Sequence, residues 1–97
     1  MISSIAVQVL PMTSNTEEVI RIVDHVIDYI DKSGVHYQVG AFESTLEGDY
    51  DQLMSILKNL PKIAAEVSNT PVMVYSKINM ATNSDVLTIA EKTDKYR

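Results

Sequence analysis

The chain contains no cysteine. That excludes a disulfide framework and thiolate chemistry. Only two histidines are present, His25 and His36, far apart in sequence, which leaves too few ligands for a zinc site. Glycine is scarce: Gly34, Gly40 and Gly48 fit neither a dinucleotide-binding loop nor a P-loop. Positive charge is short as well, with 8 Lys and Arg against 13 Asp and Glu for a formal net charge of −5. A nucleic-acid or anionic-membrane partner calls for the opposite balance. No apolar run approaches the roughly 20 residues of a membrane span. The stretch Met1-Ile2-Ser3-Ser4-Ile5 lacks the basic region and long apolar core of a signal peptide, so the expected compartment is the cytoplasm. Strand aromatics are few: Tyr37 and Tyr75 with acidic residues between them make a poor base-stacking platform, and RNA is not expected.

What remains is ordinary globular material. The chain has 97 residues, 45% hydrophobic and 22% charged, with no linker or low-complexity tract, which is enough for one domain over 1–97 with a modest core. Ile5, Val7 and Val9 alternate with Ala6, Gln8 and Leu10 up to Pro11, predicting a strand over 3–10. Ser14-Asn15-Thr16-Glu17 matches a capping box. Val19, Ile20, Ile22, Val23, Val26, Ile27 and Ile30 then recur at helical spacing, predicting a helix over about 15–33 that stops at Gly34. Val35, Tyr37 and Val39 form a second strand. Gly40 and Ala41 turn the chain into a third, over about 43–47. Asp49 and Asp51 open a second helix with an apolar face from Leu53 to Val67, in which Pro61 is expected to cause a kink or a new start. Pro71 introduces a fourth strand carrying Val72, Val74 and Ile78. A short last helix is expected from Asp85 to about Lys92.

Strand–helix–strand, twice over, is the ferredoxin-like pattern: an α+β fold with a four-stranded antiparallel sheet and both long helices on one face. The more apolar alternating set, Ile5, Val7, Val9, Val35, Val39, Leu46, Val72, Val74 and Ile78, should face the helices. The other face then carries Ala6, Gln8, Leu10, His36, Gln38, Glu43, Thr45, Glu47, Met73, Tyr75 and Lys77. This face is mixed in polarity, which suits a protein–protein contact, and Lys77 is a natural partner for a carboxylate there.

On that face Glu43, Thr45 and Glu47 form a polar row, with Ser44 and Leu46 pointing the other way. The row reads either as a solvated strand face or as a site for a small ligand carrying positive charge or hydrogen-bond donors. Paired carboxylates are also compatible with acid–base chemistry; residues two apart on a strand lie about 7 Å apart at the backbone, a spacing that fits many roles, and no nucleophile–base pair accompanies them. Asp24, Asp28 and Asp31 lie along one face of the first helix. A convex surface offers a metal too few ligands, so these read as solvated, with Asp28 and Lys32 paired at i, i+4.

Several segments together resemble the small thiamine-binding protein family: Ile5-Ala6-Val7-Gln8-Val9-Leu10-Pro11, Val23 to Ile30, Ser33-Gly34-Val35-x-Tyr37, Glu43-Ser44-Thr45-Leu46-Glu47-Gly48-Asp49, Lys77-Ile78-Asn79 and Leu87-Thr88-Ile89-x-Glu91-Lys92. The likeness spans nearly the whole chain, and Thr-x-Glu-Gly after a strand is its most specific part. Ala41 departs from the proline of many relatives, and Ser44 from their threonine. The resemblance implies a ferredoxin-like fold, assembly into a homodimer or homotetramer through the sheets, and non-enzymatic binding of thiamine or its hydroxymethylpyrimidine portion. No metal or other cofactor is implied. On that reading Glu43 and Glu47 accept from the exocyclic amine and offset the thiazolium charge. Ser44 and Thr45 contact ring nitrogens, Gln8 contacts the pyrimidine, and Tyr37 or Tyr75 supplies a stacking face. The alternative is a regulatory or assembly module that uses the open sheet face and has no small ligand.

Overall fold

Period-two patterning at the start of the chain produces β1 (Ile2–Pro11), which becomes the most extensively paired strand of the sheet. The computed structural model describes residues 1–97. After β1 come α1 (Thr16–Lys32), β2 (His36–Val39), β3 (Ser44–Asp49), α2 (Tyr50–Glu66), β4 (Val72–Asn79) and a short α3 (Ile89–Thr93) that runs into a 3-10 turn over Asp94–Tyr96. The sheet order is β2-β3-β1-β4, with every neighbouring pair antiparallel. This is the ferredoxin-like α+β arrangement.

Local chemistry sets the element ends, and in three places it differs from the sequence expectation. The cap of α1 is Asn15, whose side chain accepts from the Glu18 N–H at 3.2 Å, rather than the Ser14 of a capping box. At the other end Gly34 takes φ +80°, the left-handed conformation expected of it. Asp49 caps α2 through the Gln52 N–H. The helix then runs unbroken through Pro61, which lies on its exposed side, where water can serve the carbonyl left without a donor. The last helix begins at Ile89, not Asp85, because Thr88 and Glu91 form a reciprocal capping box there. Residues 85 and 86 are instead held against β1: Ile2 N–H donates to Asp85 Oδ1 at 2.7 Å, and Val86 N–H donates to the Ile2 carbonyl.

The core lies between the sheet and the two long helices. Ile5, Val7, Val35 and Leu46 are buried against Ile22, Val26 and Ile30 of α1 and Leu53, Ile56, Leu60 and Ala64 of α2. Val9 and Val72 pack at its margin. Val39 and Ile78, expected inside, are half exposed at its edges. The opposite face has the predicted composition, and the register arranges it in rows. His36, Glu47, Ser4 and Asn79 make one row, and Gln38, Thr45, Ala6 and Lys77 the next. Gln8 with Tyr75, then Leu10 with Met73, complete it. The α3 segment folds back over the first rows and leaves the last two bare.

Candidate functional site

The four-residue turn between β2 and β3 positions the carboxylate that borders every large cavity of the molecule. Gly40 N–H donates to the Glu43 carbonyl at 2.9 Å. A Cβ on Gly40 would lie 2.7 Å from that same oxygen, so only glycine closes the turn this tightly. Glu43 therefore leaves the turn just before β3, reaches across the open face, and pairs with Lys77 Nζ at 3.1 Å.

The predicted residues divide between two faces. Glu43, Thr45, Glu47, Gln8 and Tyr75 belong to the open face, as alternation required. Ser44 does not: it is buried on the helix side beside Leu46. Tyr37 is also on the helix side, so it cannot stack on anything held by the open face. It packs against the core margin, and its hydroxyl donates to Asp31 Oδ1 at 2.8 Å. That bond to a carboxylate raises the Tyr37 pKa. Glu47 is already engaged. Its carboxylate accepts from the Ile89 N–H at 2.7 Å and lies 3.4 Å from His36 Nε2, with little of it left to solvent. It anchors the start of α3.

An opening also exists where sequence reasoning placed none. α2 packs broadly on β1, β3 and β4, whereas α1 meets chiefly β1 and α2. α1 thus stands off from the short β2 and the turn beyond it. The gap is a cleft of about 340 Å³ walled by Val19, Val23, Ile27 and Val39, with Ser44 on its sheet side and Phe42, Asp24 and Glu43 among its other lining residues. Phe42, the chain's sole phenylalanine, is 84% exposed at the turn. The volume is at the lower end of small-molecule sites, roughly 300–1,000 Å³, and the composition matches them: apolar walls with a few polar groups. Phe42 carried a signal that could have been read, since a large aromatic in a turn flanked by Gly40 and Glu43 has no core to join. Asp24 carried none, being one of three similar aspartates on its helix face.

A family model for thiamine-binding proteins matches residues 5–97. The chain belongs to the thiamine-binding protein family. It is 34% identical over 94 residues to a UPF0045 family protein of Clostridium perfringens, covering 97% of this chain and 96% of that one. Among solved structures it is similar to a domain of unknown function, DUF77, from Bacillus cereus, with 34% identity, a TM-score of 0.87, and coverage of 100% of this chain and 91% of the other. A candidate thiamine biosynthesis/salvage protein from Thermotoga maritima superimposes equally well, TM-score 0.87 with complete coverage of both chains, at 24% identity, which attests the shared fold. The family is named for binding thiamine. No helix is long and apolar enough to cross a membrane.

Proposed function

We propose that the chain binds thiamine or its hydroxymethylpyrimidine portion, without catalysis, in the cleft between α1 and the β2–β3 turn. The observation that carries this reading is an apolar cleft bordered by carboxylates and an aromatic ring. Apolar walls accept a flat heteroaromatic ring, and Ser44 offers a hydroxyl to a ring nitrogen. Glu43 and Asp24 offset a cationic ring and accept from an exocyclic amine. Phe42 supplies the aromatic face first assigned to Tyr37 or Tyr75. Family membership supports a ligand of the thiamine class.

Isothermal titration with thiamine and with hydroxymethylpyrimidine tests the reading. Saturable binding at micromolar concentration or tighter is expected, and Ser44→Ala or Glu43→Gln should each weaken it about tenfold. No heat from a folded protein overturns it. If Thr45→Val or Tyr75→Ala weakens binding while Ser44→Ala does not, the ligand sits on the open face instead.

A second reading has its own support. Leu10, Met73 and Tyr75 form an exposed apolar patch on neighbouring strands of the bare half-face. Such a patch suits assembly into a homodimer or homotetramer through the sheets. Sedimentation at micromolar concentration tests this, with Tyr75→Lys expected to shift the mass toward monomer.

A further inference from the structure

The strip of open face beneath and beside α3 contains polar groups that the fold itself does not use. Ser4 lies on this face, one residue out of phase with the core positions Ser3 and Ile5, and is only 6% exposed. Its hydroxyl takes no part in the side-chain hydrogen bonds of the protein, and neither does that of Thr45 in the adjoining row. Both line a groove of about 210 Å³ that passes under Ile89 and Lys92. The groove continues into a second space of about 250 Å³, lined by the same two hydroxyl residues together with Lys77 and Lys92. Ala6, between Thr45 and Lys77 in the register, leaves the floor low.

Ser4 is nine-tenths buried, yet its hydroxyl meets the groove with no partner in the protein, which points to an occupant. The two hydroxyls can donate, and the lining adds two ammonium groups, Lys77 and Lys92, against one carboxylate, Glu43, which is matched to Lys77. Lys92 forms no ion pair at all, in a chain where acids outnumber bases. The positive charge is also locally concentrated. Residues 72–97 hold four of the eight basic side chains (Lys77, Lys92, Lys95 and Arg97) against three acidic ones. The rest of the chain therefore carries four bases against ten acids.

We propose that this groove is a second binding site, distinct from the α1 cleft, for a small anionic group of the phosphate or carboxylate type. Ser4 and Thr45 donate from the sheet, and Lys92 supplies charge from α3. Lys77 closes the far side, and ligand arrival at its ammonium would compete with Glu43. Since Glu43 also lines the cleft, the two sites share one side chain. The proposal does not depend on what the cleft binds.

Amide chemical-shift titration of the full chain tests it, with inorganic phosphate and acetate added separately at constant ionic strength set by sodium chloride. Saturable shifts at Thr45, Ile89, Lys92 and Thr93 are expected. Lys92→Gln should raise the apparent Kd about tenfold, whereas Lys58→Gln on α2 should leave it unchanged. Ser4→Ala, which preserves volume, should weaken binding without altering the rest of the spectrum. A response to phosphate alone assigns the site to phosphoryl groups, and a response to both assigns it to oxyanions generally. No saturable shift at these four amides overturns the proposal. So does an equal response in wild type and Lys92→Gln.

Discussion

The two halves of the molecule repeat one plan and close it differently. In the second half, α2 lies flat on the sheet, with Leu53, Leu60 and Ala64 wholly buried, and small Ala64 permits close approach. In the first, Ile22, Val26 and Ile30 of α1 are as well buried. Yet Val19, Val23 and Ile27 face the cleft and stay partly exposed. Both helices have 17 residues, so length is not the cause. The partner strands are: β4 has eight residues and β2 has four, followed by a turn that leaves the layer. A short strand gives its helix little to lie on, and the cleft is what remains. One half closes fully on the sheet, and the other keeps an opening.

The sharpest way to break that contrast is to truncate one apolar residue of each long helix. Leu60→Ala should cost about 2–5 kcal/mol, as a fully buried leucine does, whereas Val23→Ala beside the cleft should cost about 1 kcal/mol or less. Urea midpoints at unchanged m-value measure both. Similar losses at the two sites would mean that the halves are equally closed.

A smaller effect is expected at α3. Glu47→Gln weakens the acceptor for the Ile89 N–H, a change of about 1 kcal/mol confined to that segment. Hydrogen exchange should quicken several-fold at Ile89 and remain unchanged at Leu60. Affinity for thiamine should also remain unchanged, which separates an anchoring Glu47 from the ligand-binding one read from the sequence.

The smallest effect concerns the clasp that holds β2 to α1 below the cleft. The hydrogen bond to Asp31 raises the Tyr37 pKa above its usual value of 10.0. A raised folded-state pKa contributes stability in full below the unfolded value and loses it as pH climbs through the folded one. Tyr37→Phe should therefore differ slightly from wild type at pH 8, and the difference should shrink at alkaline pH beyond that raised value. A gap in urea midpoints that does not narrow would show that the phenol contributes through packing alone.

Much of this architecture was legible from alternation. Period-two patterning placed Ile5, Val7 and Leu46 inside and Thr45 and Glu47 outside, because a strand has only two faces and one of them must be dry. The same rule placed Ser44 on the helix side, where it lines the cleft. Tyr37 shares the parity of Val35 and Val39, so alternation already puts it on the helix side, out of reach of a ligand on the open face; the Asp31 carboxylate that takes its hydroxyl sits one element away. The cleft had no sequence signature. It arises from the distance between a helix and a short strand, which no local pattern encodes. Glu47 looked available because its partner, the Ile89 amide, lies 42 residues further along the chain. A backbone donor in a capping turn leaves no trace in composition.

The central position of β1 also bears on the order in which the protein can assemble. The first strand made has no neighbour until residues 44–49 follow, and its second edge stays unpaired until 72–79 are present. Even then its outer end waits for residues 85 and 86. One edge of β1 thus stays unpaired through most of the domain's synthesis, and the sheet closes around its first strand last. Folding of this kind depends on contacts between distant parts of the chain. It should be slow relative to a helical bundle of equal size, and it leaves the emerging chain dependent on whatever shields apolar strands until β4 arrives.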